Sequence, residues 1–134
     1  MKIVIQSIPH LQQRYNTVGD WIQSQVTGDI TILVSEELGE IGMKAVILHE
    51  LTEALLCDHN DITSEDVDEF DKDCDPLDEV EPGDKLHCPY QQEHGFAMAV
   101  ERIFTSAAEL TWEQHERCIL NLTEQYEDEK GQAT

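Results

Sequence analysis

The chain has 134 residues, of which 40% are hydrophobic, and a formal net charge of −21 at pH 7. This length and composition suffice for one domain with a buried core. No apolar stretch approaches the ~20 residues of a membrane helix, so we expect no membrane as partner. So negative a protein would repel nucleic acid, which excludes that class of partner as well.

Three β-type segments are predicted near the start of the chain, at residues 2–8, 21–26 and 29–34. Branched apolar residues occupy alternate positions there, as in half-buried strands, namely Ile3, Ile5, Ile30, Ile32 and Val34. The turn chemistry of Thr27-Gly28-Asp29 predicts a hairpin between the second and third segments. The apolar part of segment 2–8 is too short for a signal peptide, so we expect a cytoplasmic protein.

Helices are predicted after about residue 36, where the apolar period changes from 2 to 3.6 residues. The first spans 39–58, with a core stripe of Ile41, Ala45, Leu48, Leu51 and Leu55. A short second helix begins at Thr63, a third spans 91–108, and a fourth is capped by Thr111 and Gln114. Residues 72–90 are predicted to be a loop. The predicted fold is α+β, with a small antiparallel N-terminal sheet packed on three to four helices. A single domain is expected at residues 1–126, with a frayed tail at 127–134.

Three polar residues stand out within the apolar sequence of the first predicted helix. His49 and Glu53 are four residues apart and therefore lie on one helix face, with Glu50 at the edge of that face. Buried charges need a partner or a metal ion. Histidine and carboxylate are zinc ligands, and catalytic zinc sites use three protein ligands. This pattern predicts a site for one zinc ion that uses His49 and Glu53.

The third ligand must come from elsewhere in the chain. His94 is preferred because it begins a separate helix that can pack against the first one, whereas His59, His87 and the thiols are the alternatives. Glu101 lies seven residues after His94, too far along the helix axis to share an ion with it comfortably. Glu101 is instead expected to orient His49, since ligand histidines usually donate their other N–H to a carboxylate or carbonyl.

The segment His49-Glu50-Leu51-Thr52-Glu53 resembles the H-E-x-x-H helix of the zincin-like metallopeptidases, with glutamate in place of the second histidine. Segment 49–57, Glu81-Pro82-Gly83-Asp84 and segment 89–101 resemble small phage- and prophage-encoded proteins. The zincin resemblance implies that His49 is a ligand and that Glu50 is the general base of a hydrolase that cuts peptides. The phage resemblance implies a host-cell cytoplasmic location.

A rival interpretation starts from the acidic segment, residues 58–84. It contains thirteen acidic residues and one basic residue, a net charge of −12. Such a field speeds association with basic partners. In this alternative the protein is a phage-type binding or inhibitor protein that acts on a basic host protein, and the His/Glu cluster only stabilises the fold.

The four cysteines include no C-x-x-C pair and are expected to be reduced thiols. Cys57, on an apolar helix, is expected to pack in the core. A structural zinc site formed by Cys74, His87, Cys88 and His94 is a further alternative, although the spacing matches no familiar zinc finger or ribbon.

Overall fold

A computed structural model describes residues 1–132 and shows an α+β fold, as the sequence predicts. Three strands are followed by four helices in that part of the chain. The strands are β1 (Ile3–Ile8), β2 (Gly19–Gln23) and β3 (Ile30–Ser35). The helices are α1 (Gly39–His59), α2 (Ser64–Lys72), α3 (Gln91–Ala107) and α4 (Trp112–Gln132).

The sheet has the order β1-β3-β2 and is mixed rather than wholly antiparallel. β2 and β3 form the predicted antiparallel hairpin, but β1 runs parallel to β3. The segment between β1 and β2 crosses the end of β3, where His10 Nδ1 lies 2.8 Å from Ser35 Oγ. Alternating apolar residues specify the faces of a strand but not its direction, so the sequence pattern left the direction of β1 open.

β2 also lies earlier in the chain than predicted, since it begins at Gly19 and ends at Gln23. The residues expected to complete it instead form the turn, in which Gly28 N donates to Ser24 O and Gly28 has a φ of 76°. Glycine adopts such a positive φ at little cost. The turn is therefore longer than Thr27-Gly28-Asp29.

Local capping explains why the helix starts were predictable. Thr63 Oγ1 accepts from Asp66 N, and Asp66 Oδ2 accepts from Thr63 N, which confirms the capping box of α2. Thr111 and Gln114 form the same reciprocal pair at the start of α4. The predicted loop at 72–90 contains only a short 3-10 turn at Pro82–Asp84.

Helix α1 packs against the sheet and against α3. Its predicted core stripe is wrong at both ends, because Ile41 and Leu55 are exposed. The buried face consists of Gly42, Ala45, Val46, His49, Glu53, Ala54 and Cys57. The apolar period was misleading here because mostly small side chains, together with the polar His49 and Glu53, occupy the buried face of the helix.

Helix α4 continues past the predicted domain end and reaches Gln132. Tyr126 on this helix packs edge-on against His10 and donates to Gln13 O over 3.4 Å. Residues 133–134, the end of the predicted tail, lie outside the described residues. Within residues 1–132, no helix combines the length and the apolarity needed to cross a bilayer.

Candidate metal centre

Two helices bring together the three residues predicted to bind metal. His49 and Glu53 project from the buried face of α1, and His94 projects from the first turns of α3. All three are nearly inaccessible to solvent, at 5–7% exposure. One ligand atom from each lies within 4.8 Å of the others.

Oε2 of Glu53 is the atom around which this cluster is arranged. His49 Nε2 lies 3.3 Å from it, and His94 Nδ1 lies 3.1 Å from it. The two imidazole rings meet edge to face, with their centroids 4.9 Å apart. Three potential ligand atoms, two nitrogens and one oxygen, therefore lie close together.

The outward-facing atoms of the three side chains contact other polar groups. His49 Nδ1 lies 2.7 Å from Glu101 Oε1, as the sequence predicted. Trp21 Nε1 donates to Glu53 Oε1 over 3.1 Å. His94 Nε2 lies 3.2 Å from Glu81 Oε2. The contacts of His49 with Glu101 and of His94 with Glu81 lack the geometry of a regular hydrogen bond, so each is an ion pair when the histidine is protonated.

The cluster is strongly coupled electrostatically. Burial lowers the pKa of both histidines, but the nearby carboxylates raise it by more. The pKa of His94 is therefore about 10, and the pKa of His49 also lies well above its usual range. Burial raises the pKa of Glu53 and Glu101, but their histidine partners lower both values to about 2. Without an ion the cluster is thus a set of buried ion pairs, as the structural alternative assumes.

Glu50 lies beside these ligands in a cavity of about 480 Å³. The cavity extends from the acidic loop across the ligands to α4. Glu50 also contacts the start of β2, because a Cβ built at Gly19 would come within 2.7 Å of Glu50 Oε1. Burial and the charge of Glu53 raise the pKa of the Glu50 carboxyl well above its ordinary value.

A second acidic group lies in the same cavity. Asp71 accepts hydrogen bonds from Tyr90 Oη and, over 3.3 Å, from Tyr15 Oη. Burial raises its pKa to about 7, although the hydroxyl of Tyr90 opposes the shift. Asp20 has an arginine partner, since Arg14 Nε lies 2.8 Å from Asp20 Oδ2, but burial raises the pKa of this carboxyl as well.

Several members of this network were not identified from the sequence. His115 Nε2 lies 2.6 Å from Glu101 Oε2 and is 1% exposed. Trp21 and Glu81 come from the sheet and from the loop before α3. Nothing in their spacing relates them to His49, since their proximity depends on tertiary packing.

The alternative ligands do not join the cluster. His59 and His87 are exposed, and among the described residues neither belongs to a group arranged for an ion. Cys57 is fully buried in the core, as predicted. Within residues 1–132, Cys74, His87 and Cys88 do not assemble with His94 as potential ligands. A second group, Glu81, Asp84 and His94, shares the His94 side chain.

The acidic segment is largely solvent-exposed, and two of its acidic residues, Asp68 and Asp71, are half-buried. Asp68 pairs with Arg14 Nη1 over 2.9 Å, and Asp71 binds the two tyrosine hydroxyls. The other eleven acidic residues of the segment are exposed.

Comparison of the chain with protein-family models, curated proteins and solved structures finds no match.

Proposed function

We propose that the protein binds one divalent ion, zinc by preference, through His49, Glu53 and His94, and that this centre is hydrolytic. The observation that carries the proposal is the spacing of the ligand atoms. Zinc bonds of 2.0–2.1 Å in a tetrahedral shell place neighbouring ligand atoms about 3.3 Å apart. The distances from Glu53 Oε2 to the two imidazole nitrogens are 3.3 and 3.1 Å.

The contacts behind the ligands support the same proposal. Histidines that bind metals generally donate their remaining N–H to a carboxylate or carbonyl. Glu101 and Glu81 face the remaining nitrogens of His49 and His94, and Trp21 binds the other oxygen of Glu53. Each side chain therefore directs one atom into the cluster and has its other atom next to a polar group of the protein.

Glu50 is the general base in this proposal. It is the residue next to His49 and lines the same cavity as the three ligands. A carboxylate can take a proton from a water molecule in the cavity and pass it to a leaving group. When bound, the ion supplies Lewis-acid polarisation. The proposed substrate is a peptide bond, by analogy with the zincin-like helix. The proposed location is the host-cell cytoplasm.

Metal content measured on untagged protein tests the proposal. Wild type purified with zinc should hold about one equivalent, and His49→Ala should hold almost none. His59→Ala is the matched control, since this exposed histidine ends the same helix. Equal and negligible zinc in all three proteins would show that the His/Glu cluster only stabilises the fold.

The acidic segment supports a second candidate, binding to a basic host protein. The segment exposes eleven acidic residues against one basic residue, Lys72, and strongly negative surfaces accelerate capture of basic partners. Asp66→Asn, Asp73→Asn and Asp75→Asn together would weaken that surface without disturbing the inward contacts of Asp68 and Asp71. Pull-downs from bacterial lysate at low and high salt compare this variant with wild type. Failure to retain any basic protein at low salt would exclude this candidate.

A further inference from the structure

The turn before α3 packs directly against the imidazole ring of His94. Gly83 is buried within the 3-10 turn at Pro82–Asp84. A Cβ built at Gly83 would overlap Cγ, Nδ1 and Cδ2 of His94. Only glycine lets the backbone approach the ring so closely. The ring is therefore fixed on that side by backbone rather than by a mobile side chain.

The same turn also supplies a carboxylate to the outer nitrogen of His94. Nε2 is buried and lies 3.2 Å from Glu81 Oε2, and it makes no regular hydrogen bond to any group within residues 1–132. Asp84 Oδ1 is further away, at 3.7 Å. A neutral imidazole carries one proton, so an acceptor at Nε2 favours the tautomer whose Nδ1 lone pair is free. Nδ1 is the nitrogen that faces Glu53 and His49.

We propose that Glu81 and Gly83 are positioning residues that orient His94 and fix its tautomer for metal binding through Nδ1. The inference rests on the proposed function and adds two residues to it. Glu81 holds the proton on Nε2, and Gly83 sets the plane of the ring. Glu81 and Gly83 are then part of the metal centre, although neither residue touches the ion.

Zinc affinity and ring tautomer test the role of Glu81. Glu81→Gln keeps the size of the side chain but removes its charge, and it should weaken zinc binding by about 10- to 100-fold in a competition titration. Long-range ¹⁵N NMR of the zinc-bound wild type should show the proton of His94 on Nε2, and Glu81→Gln should show a second population that binds zinc through Nε2 and carries the proton on Nδ1. Glu79→Gln, an exposed acid of the same loop, should match wild type in both.

A double-mutant comparison on metal-free protein tests the role of Gly83. Gly83→Ala should lower the melting temperature of the chelator-treated protein, because the new methyl group displaces the His94 ring. In the His94→Ala background the same substitution should have much less effect. Equal effects in the two backgrounds would overturn the role of Gly83.

Two outcomes would overturn the role of Glu81. The first is wild-type zinc affinity and an unchanged His94 tautomer in Glu81→Gln. The second is binding of two zinc ions by wild type and of only one by Glu81→Gln. That result would make Glu81 a ligand of a second ion, together with Asp84. A wild-type protein that bound no zinc would instead refute the proposed function, so the two failures are distinguishable.

Discussion

His49 Nδ1 lies 2.7 Å from Oε1 of Glu101, across the interface between α1 and α3. Glu101 in turn lies 2.6 Å from His115 Nε2 on α4. One carboxylate therefore joins a proposed metal ligand to a histidine of another helix. This arrangement leaves His49 Nε2 directed toward Glu53 and His94.

Removing the charge of Glu101 should impair metal binding without removing a ligand. We expect Glu101→Gln to weaken zinc binding by about 10- to 100-fold, because the amide is a poorer acceptor for the N–H of His49. Isothermal titration calorimetry measures the change. The control is Glu113→Gln, an exposed acid on α4. Unchanged affinity in Glu101→Gln would mean that Glu101 does not orient His49.

Glu50→Gln should separate binding from chemistry. The amide keeps the shape of the side chain but cannot accept a proton at neutral pH, so zinc content should stay near one equivalent. Turnover of a cleaved peptide should fall by about 100-fold or more, the usual contribution of a general base. Zinc analysis and a peptide-cleavage assay measure the two effects. Undiminished cleavage would remove Glu50 from the mechanism.

The half-buried carboxyl of Asp71 should make stability depend on pH. Its pKa is raised from 3.8 to about 7, so between these pH values the folded protein retains a proton that the unfolded chain loses. The free energy of unfolding should therefore decrease as pH rises from about 4 to 7. Asp71→Asn should flatten this dependence and be more stable than wild type at pH 8 by about 1–3 kcal/mol.

Urea unfolding of chelator-treated protein at several pH values measures that dependence. Asp73→Asn, an exposed neighbour, should retain the wild-type profile. A profile for Asp71→Asn that parallels wild type would show that another group titrates.

Two glycine substitutions should change stability in opposite directions. Gly19→Ala places a methyl group within 2.7 Å of Glu50 Oε1 and also against Val46, so it should cost about 1–3 kcal/mol. Gly95→Ala meets no heavy atom of residues 1–132 within 4 Å and lies inside α3, so it should stabilise by up to about 1 kcal/mol. Thermal unfolding compares both with wild type. Equal stability of the two variants would contradict the close packing of β2 on α1.

Features encoded by neighbouring residues were predictable from the sequence. The capping boxes at Thr63 and Thr111 fixed two helix starts, and the spacing of His49 and Glu53 placed them on one helix face. His94 was predicted as the third ligand because it begins a separate helix that can pack against the first one. Its metal role, like the zincin resemblance, remains a prediction.

Features that depend on long-range packing were not predictable in this way. The alternation in β1 could not reveal its parallel pairing with β3, because alternating residues specify the faces of a strand and not its direction. Ile3 and Ile5, predicted to be half-buried, are exposed. Glu81 stood out only as part of the segment Glu81-Pro82-Gly83-Asp84, and nothing in its spacing related it to His94. The core stripe of α1 failed for a related reason, since the deepest face of the helix carries His49 and Glu53 rather than leucine.

Glu53 and His94 are 41 residues apart in the chain and 3.1 Å apart in space. An ion bound to both would therefore act as a cross-link, comparable to a disulfide, that closes a loop around the acidic segment. In the chain-entropy description, closing a loop of this length reduces the freedom of the unfolded chain by about 4 kcal/mol. The carboxylates crowded at residues 58–84 repel one another, and this tether would oppose their separation. Zinc would then hold the most highly charged part of the chain in place, whether or not it also takes part in hydrolysis.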